Sequence, residues 1–257
     1  MKLRATSLRA IKTGGRQREW SPAELGSSLN LWLDAEASST IVLNGSNVSS
    51  WGNRVTGTGR FAFQGTATIQ PAYVQNALNG KPAVLLDGVD DHLLLTAGTY
   101  ASNAAAIFTV VQPSPSDVTY SLFCSSNQDF TRYSDNATYS LLYRAARASA
   151  TQIGMPSSGP FVLGYNINAT NSLYQIYLNG SLALNVAGGF SLANTPDRIG
   201  GSAGTNRFSG YFCEVVETTS DLSTENRQKL EGYLAWKWGL TGNLPANHPF
   251  KNDPPTA

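Results

Sequence analysis

Few residues in this chain could do covalent chemistry. Two carboxylates lie close together in Glu214-Val215-Val216-Glu217. Retaining glycoside hydrolysis needs two such groups about 5 Å apart. Three positions apart on a strand, they point to opposite faces and cannot form that pair locally. The two histidines, His92 and His248, stand in unrelated contexts without ligand spacing, so zinc is not expected. His248 sits in a Pro-rich tail, where packing or a turn hydrogen bond is its expected role. There is no Gly-x-Ser-x-Gly elbow and no phosphate loop. The expectation is a non-enzymatic protein with no catalytic residue, no cofactor and no metal. Asp87-Gly88-Val89-Asp90-Asp91 offers hard oxygen ligands of the kind calcium takes. Its spacing departs from an EF-hand loop, and an Asx-type turn between strands is the favoured reading. Sugar binding needs exposed rings beside amides and carboxylates. Asn127, Asp129, Phe130, Arg132, Tyr133 and Asp135 supply such a set around one loop, 125–136, with Tyr139 close by. Some of these rings could equally serve a core. Trp32, Trp51, Trp236 and Trp238 are assigned to packing.

The elements that must position these groups are mostly short strands. Leu29, Leu31 and Leu33 alternate with Asn30, Trp32 and Asp34, as on a strand with two different faces. Asn44-Gly45 is a hairpin signal between Ile41–Leu43 and Val48–Trp51. Apolar runs at 83–86 and 104–111 suit buried strands, and 120–124 and 139–143 are neighbours of the second. Residues 161–167 alternate, and Asn179-Gly180 joins Leu173–Leu178 to Leu182–Val186 in the best hairpin of the chain. Arg207–Glu217 is a last long strand. One helix follows over 223–238. Ser223 is its N-cap, Glu225 suits its dipole, and Leu230, Tyr233, Leu234 and Trp238 share a face. Gly239 can end it in the left-handed conformation, and Pro245, Pro249, Pro254 and Pro255 bar continuation. The fold class is therefore all-β, an antiparallel jelly-roll sandwich with one C-terminal helix. It divides into a basic N-terminal arm, 1–28, and one domain, 29–257, that ends in the helix and a Pro-rich tail.

The chain has 257 residues, enough to bury a sizeable core. Its 24 glycines and 12 prolines fit a turn-rich fold. Two cysteines, Cys124 and Cys213, do not make a disulfide framework. Two buried thiols are expected, with a single bridge as the alternative. Net charge is near zero but unevenly placed. Residues 1–20 carry Lys2, Arg4, Arg9, Lys12, Arg16 and Arg18 against Glu19, while the remainder holds 12 basic and 16 acidic residues. An arm of this kind is disordered alone in water, so a partner is expected to order it, with an arm folded back on its own domain as the alternative. Nucleic acid is disfavoured, because no aromatic residue precedes Trp20 to stack on bases. Residues 1–20 contain no apolar core of signal-peptide length, and no run approaches a membrane span.

Several stretches occur in an order that resembles a known family. They are LWLDAEASSTI at 31–41, NALNGKPAVLLDGVDDHLLL at 76–95, YLNGSLAL at 177–184, RFSGYFCEVV at 207–216, LSTENRQKLEGYLAWKWGL at 222–240 and LPANHPFKNDPP at 244–255. Together they resemble concanavalin A-like, laminin-G-like jelly-roll domains of tailed-phage structural proteins and bacterial surface proteins. Glucanases of that fold carry an acid-x-acid-x-x-acid strand motif, which is missing here. The resemblance implies a structural protein of a tailed-phage particle on the virion surface: a capsid decoration protein, head fibre or tail component. Other virion proteins would hold the arm through Lys2, Arg4, Arg9, Lys12, Arg16 and Arg18, and copies could form a homo-oligomer. The alternative is a carbohydrate-binding adhesion module that contacts host or cell-surface glycans.

Overall fold

The computed structural model describes residues 18–96, 104–115, 120–125, 128–129, 132–133, 139–140, 152–153, 156, 158–168, 170–171, 173–187, 197–201 and 207–257. In chain order the strands are β1 (Leu29–Asp34), β2 (Ile41–Asn44), β3 (Asn47–Trp51), β4 (Ala62–Phe63), β5 (Ala72–Leu78), β6 (Lys81–Asp87), β7 (Leu93–Leu95) and β8 (Ala104–Pro113). Six short strands follow: β9 (Tyr120–Ser121), β10 (Phe123–Ser125), β11 (Gln128–Asp129), β12 (Arg132–Tyr133), β13 (Tyr139–Ser140) and β14 (Gln152–Ile153). The rest are β15 (Phe161–Asn168), β16 (Leu173–Leu178), β17 (Ser181–Ala187), β18 (Arg198–Ile199) and β19 (Ser209–Thr218), before the helix α1 (Thr224–Trp238).

The sheet pairing is antiparallel, and fifteen strands run on from one another in the order β11-β10-β18-β7-β4-β3-β5-β6-β19-β8-β15-β16-β17, with β1 joined to β19 and β2 to β3. The result is an open, sandwich-like all-β fold with one long helix near the C-terminal end. β19 is its axis. Ser209–Phe212 pair with β6, Glu214–Thr218 pair with β1, and the whole strand pairs with β8 on its other side. A break in register between Phe212 and Glu214 marks the change of partner. β8 reads as a continuous apolar run because both of its faces are covered, by the sandwich core and by α1. The core gathers Leu31, Leu33, Trp51, Phe108, Phe161, Phe208 and Phe212, all at or near zero exposure.

The expected helix forms with the expected caps. Ser223 Oγ accepts the Asn226 N–H at 3.2 Å, and Gly239 closes the helix at φ 71°. The Asn179-Gly180 hairpin also forms, with both residues at positive φ.

Two expectations need correction. The arm was placed at 1–28, but residues 18–28 belong to the domain. Trp20, Pro22 and Leu25 are buried, and Pro22–Ser28 form a 3-10 helix leading into β1. The physical reason is a strap between the two ends of the domain. Trp20 N–H donates to Pro255 O at 3.0 Å, Ala257 N–H donates to Arg18 O at 2.9 Å, and Glu19 bridges Thr256. Trp236 was assigned to packing, but it is 39% exposed. Cys124 and Cys213 are both buried thiols and are not bridged to each other, in line with the expectation of two buried thiols.

Candidate functional site

A cleft of about 480 Å³ opens where the strap crosses the helix. Glu19, Trp20, Tyr233, Trp236, Lys237, Pro254 and Pro255 line it. Each wall has a local cause. Tyr233, Trp236 and Lys237 fall three and four apart on α1, so they share one flank of it. Trp20 is fixed by its backbone bond to the tail and meets Tyr233 edge-on at 6.1 Å. The Trp236 ring is fixed by donating Nε1–H to Phe250 O at 2.9 Å. Glu19 stands exposed at the mouth.

Behind the cleft lies a buried polar hub centred on Glu214. Its Oε1 accepts Trp32 Nε1–H at 2.6 Å and the Tyr233 hydroxyl at 3.1 Å. Its Oε2 accepts Trp238 Nε1–H at 2.7 Å and pairs with Lys237 Nζ at 2.8 Å. Lys237 Nζ also meets Asp34 Oδ1 at 2.7 Å, and Arg54 pairs with the other Asp34 oxygen while its guanidinium lies 3.8 Å over the Trp32 ring. Burial pushes the Glu214 carboxyl above its ordinary range, and Lys237 works against that shift. Burial, then the charges of Glu214 and Asp34, raises the Tyr233 phenol, which therefore stays a neutral donor. Every carboxylate oxygen of Glu214 and Asp34 is thus engaged, and all but the one that takes Arg54 help to hold the helix on the sheet. Glu217 points the other way, as its spacing from Glu214 predicts. It takes Arg60 Nη2 at 2.8 Å and Asn30 Nδ2 at 2.7 Å inside the sandwich.

A second buried cluster pins the tail. Arg227 Nη1 spans both oxygens of Glu231 at 2.7 Å and lies 3.9 Å over the Tyr177 ring. His248 Nδ1 accepts the Phe250 N–H, which leaves Nε2–H to donate to Glu231 at 3.2 Å. This is the packing and turn role expected of His248.

In the aspartate turn, the carboxylates of Asp87, Asp90 and Asp91 lie within 4.8 Å of one another. Asp87 Oδ1 accepts the N–H groups of Val89, Asp90 and Asp91, which is the Asx-type turn read from the sequence. Asp91 is buried beside Asp87, and its carboxyl is pushed up to about 6.

The glycan-binding set expected from the sequence is only partly among the described residues. Asn127, Phe130 and Asp135 lie outside the described residues. Asp129, Arg132 and Tyr133 are described in backbone only, Asp129 opposite Cys124, Arg132 opposite Ser121 and Tyr133 opposite Tyr120. Of the basic arm, Lys2, Arg4, Arg9, Lys12 and Arg16 lie outside the described residues, while Arg18 pairs with Glu24 at 2.6 Å. Sequence reasoning missed the cleft. A signal existed, because Trp236 falls off the helical face that carries Leu230, Leu234 and Trp238.

The chain matches no protein-family model and no curated protein sequence. It does share its fold with solved structures. One is Trypanosoma rangeli sialidase in complex with sialic acid, at 18% identity and TM-score 0.56, over 82% of this chain and 33% of that one. Another is domain 4 of AbnA, a GH43 extracellular arabinanase from Geobacillus stearothermophilus, in complex with arabinotriose, at 16% identity and TM-score 0.50, over 79% of this chain and 98% of that one. The chain thus spans about a third of the sialidase's length. These likenesses correct the expectation of a non-enzymatic protein, because structures sharing the fold come from glycosidases. At such identities the likeness is one of fold.

Proposed function

We propose that this chain is a jelly-roll module of the concanavalin A-like kind that binds a glycan in the cleft between the strap and α1. The observation that carries the reading is the wall of Trp20, Tyr233 and Trp236 around about 480 Å³ of space, with Glu19 and Lys237 at hand. That volume suits a small-molecule site. Aromatic walls meet the apolar C–H faces of sugar rings, and charged groups meet hydroxyls. Further support comes from the fold shared with a domain solved with arabinotriose and a sialidase solved with sialic acid. The test is retention of the full chain on immobilised glycans, for the natural sequence and for Trp236→Ala. The natural sequence should be retained, and Trp236→Ala, at an exposed position, should stay folded and bind at least tenfold more weakly. A folded natural protein that no glycan retains would sink the reading.

A second reading is favoured by the six basic residues of 1–20 against Glu19 alone. In it, the module is displayed on the surface of a tailed-phage particle, and the basic segment is held by neighbouring virion proteins through complementary charge. Glycan binding and display are compatible roles for one module. Deleting residues 1–17, which leaves the strap intact, should abolish co-sedimentation with particles. Unchanged incorporation of that deletion would remove this reading.

A further inference from the structure

The charges around the cleft bear on which glycans it can take, an inference that rests on the glycan-binding reading. Lys237 is the one cation among the lining residues. Its ammonium is already met by two buried carboxylates, Asp34 at 2.7 Å and Glu214 at 2.8 Å, and its side chain is only 12% exposed. A carboxylated sugar would have to compete with both for that charge, from the solvent side. Arg54, the other cation of the hub, is committed to Asp34 and stacked on Trp32. At the mouth stands Glu19, for which no described residue serves as ion-pair partner. The remaining walls are the rings of Trp20, Tyr233 and Trp236 with two prolines. Ring faces carry the negative side of the π quadrupole, which attracts cations and repels anions.

We infer that the cleft selects glycans without carboxylates, uncharged or amino-bearing, and turns away sialic and uronic acids. The sialic acid bound in the sialidase of similar fold is therefore the wrong ligand class for this site.

The test is an array that presents neutral, amino-bearing and carboxylated oligosaccharides, with cellotetraose, the tetramer of glucosamine and C6-oxidised cellotetraose as a β-1,4-linked gluco series that differs by one substituent per ring. It is run on the full chain, on Glu19→Gln and on Trp236→Ala. The acidic members should bind roughly tenfold more weakly than neutral ones, a difference of about 1.4 kcal/mol. Glu19→Gln, at an exposed position, should narrow that gap several-fold. Equal or tighter binding of acidic members would overturn the inference and leave glycan binding standing, as would a gap that Glu19→Gln leaves unchanged. Binding that survives Trp236→Ala would place the ligand outside the cleft and overturn it too. Retention of no glycan would remove the glycan-binding reading itself, and the inference with it.

Discussion

Asp34 and Glu214 face each other across neighbouring strands and share a single ammonium, Nζ of Lys237, at 2.7 and 2.8 Å. Two buried acids at adjacent ladder positions would repel each other without it. The helix is therefore fastened to the sheet by charge as well as by the burial of Leu230, Leu234 and Trp238.

The first prediction concerns that fastening. Lys237→Met keeps the apolar stem and removes the charge, which leaves two buried carboxylates with less compensation. The cost should be about 3 kcal/mol, in the range for breaking a buried pair from one side. Urea denaturation measures it, and an unchanged midpoint would show that the ammonium is not needed.

The second concerns pH. Asp91 has its carboxyl raised from 3.8 to about 6, by burial first and by Asp87 second. A folded pKa above the unfolded one means that the folded state binds the proton more tightly. The contribution of this group is therefore fully present below pH 3.8 and is lost as pH rises through about 6. Asp91→Asn should flatten that loss, because its amide oxygen can still accept the Asp87 N–H. Thermal melts from pH 4 to pH 7 should show the variant gaining on the natural sequence as pH rises. A constant difference across that range would contradict the assignment.

The third concerns packing between β8 and β15. A Cβ on Gly164 would come within 2.0 Å of Phe108 Cε1, in a ring with no exposure. Gly164→Ala should cost about 1–3 kcal/mol by overpacking. Adding Phe108→Leu should return part of the loss, so the two changes should be non-additive in denaturation midpoints.

How far these features could be read beforehand depends on their range along the chain. The helix and its Gly239 stop were legible because the caps are local chemistry. The hairpin at Asn179-Gly180 was legible for the same reason. The Asp34–Lys237–Glu214 hub was not, because it joins β1, β19 and α1, and no local pattern pairs an acid on one strand with a lysine on a distant helix. Trp20 was missed because a lone aromatic residue beside a run of arginines looks like part of the arm. Its bond to Pro255 and its edge-on contact with Tyr233 account for its burial.

The fourth prediction concerns the thiols. Cys213 has no exposure, and burial raises its thiol well above the ordinary range. Cys124 donates its S–H to Gly201 O at 2.7 Å. Neither should react with a thiol-specific reagent in the native state, because the thiolate is the reactive form. Both should react on denaturation. Rapid labelling of the native protein would contradict the buried placement.

The strap has a consequence for engineering. Because Arg18 and Glu19 pair with Thr256 and Ala257, the ends of the domain lie about one strand spacing apart, roughly 4.8 Å. Such a domain can be spliced into a surface loop of a host protein with little distortion of the host, or circularly permuted by joining its ends through a short linker. In either arrangement the graft enters and leaves beside Trp20, so the host surface would sit at the edge of the cleft and could be used to screen or expose it.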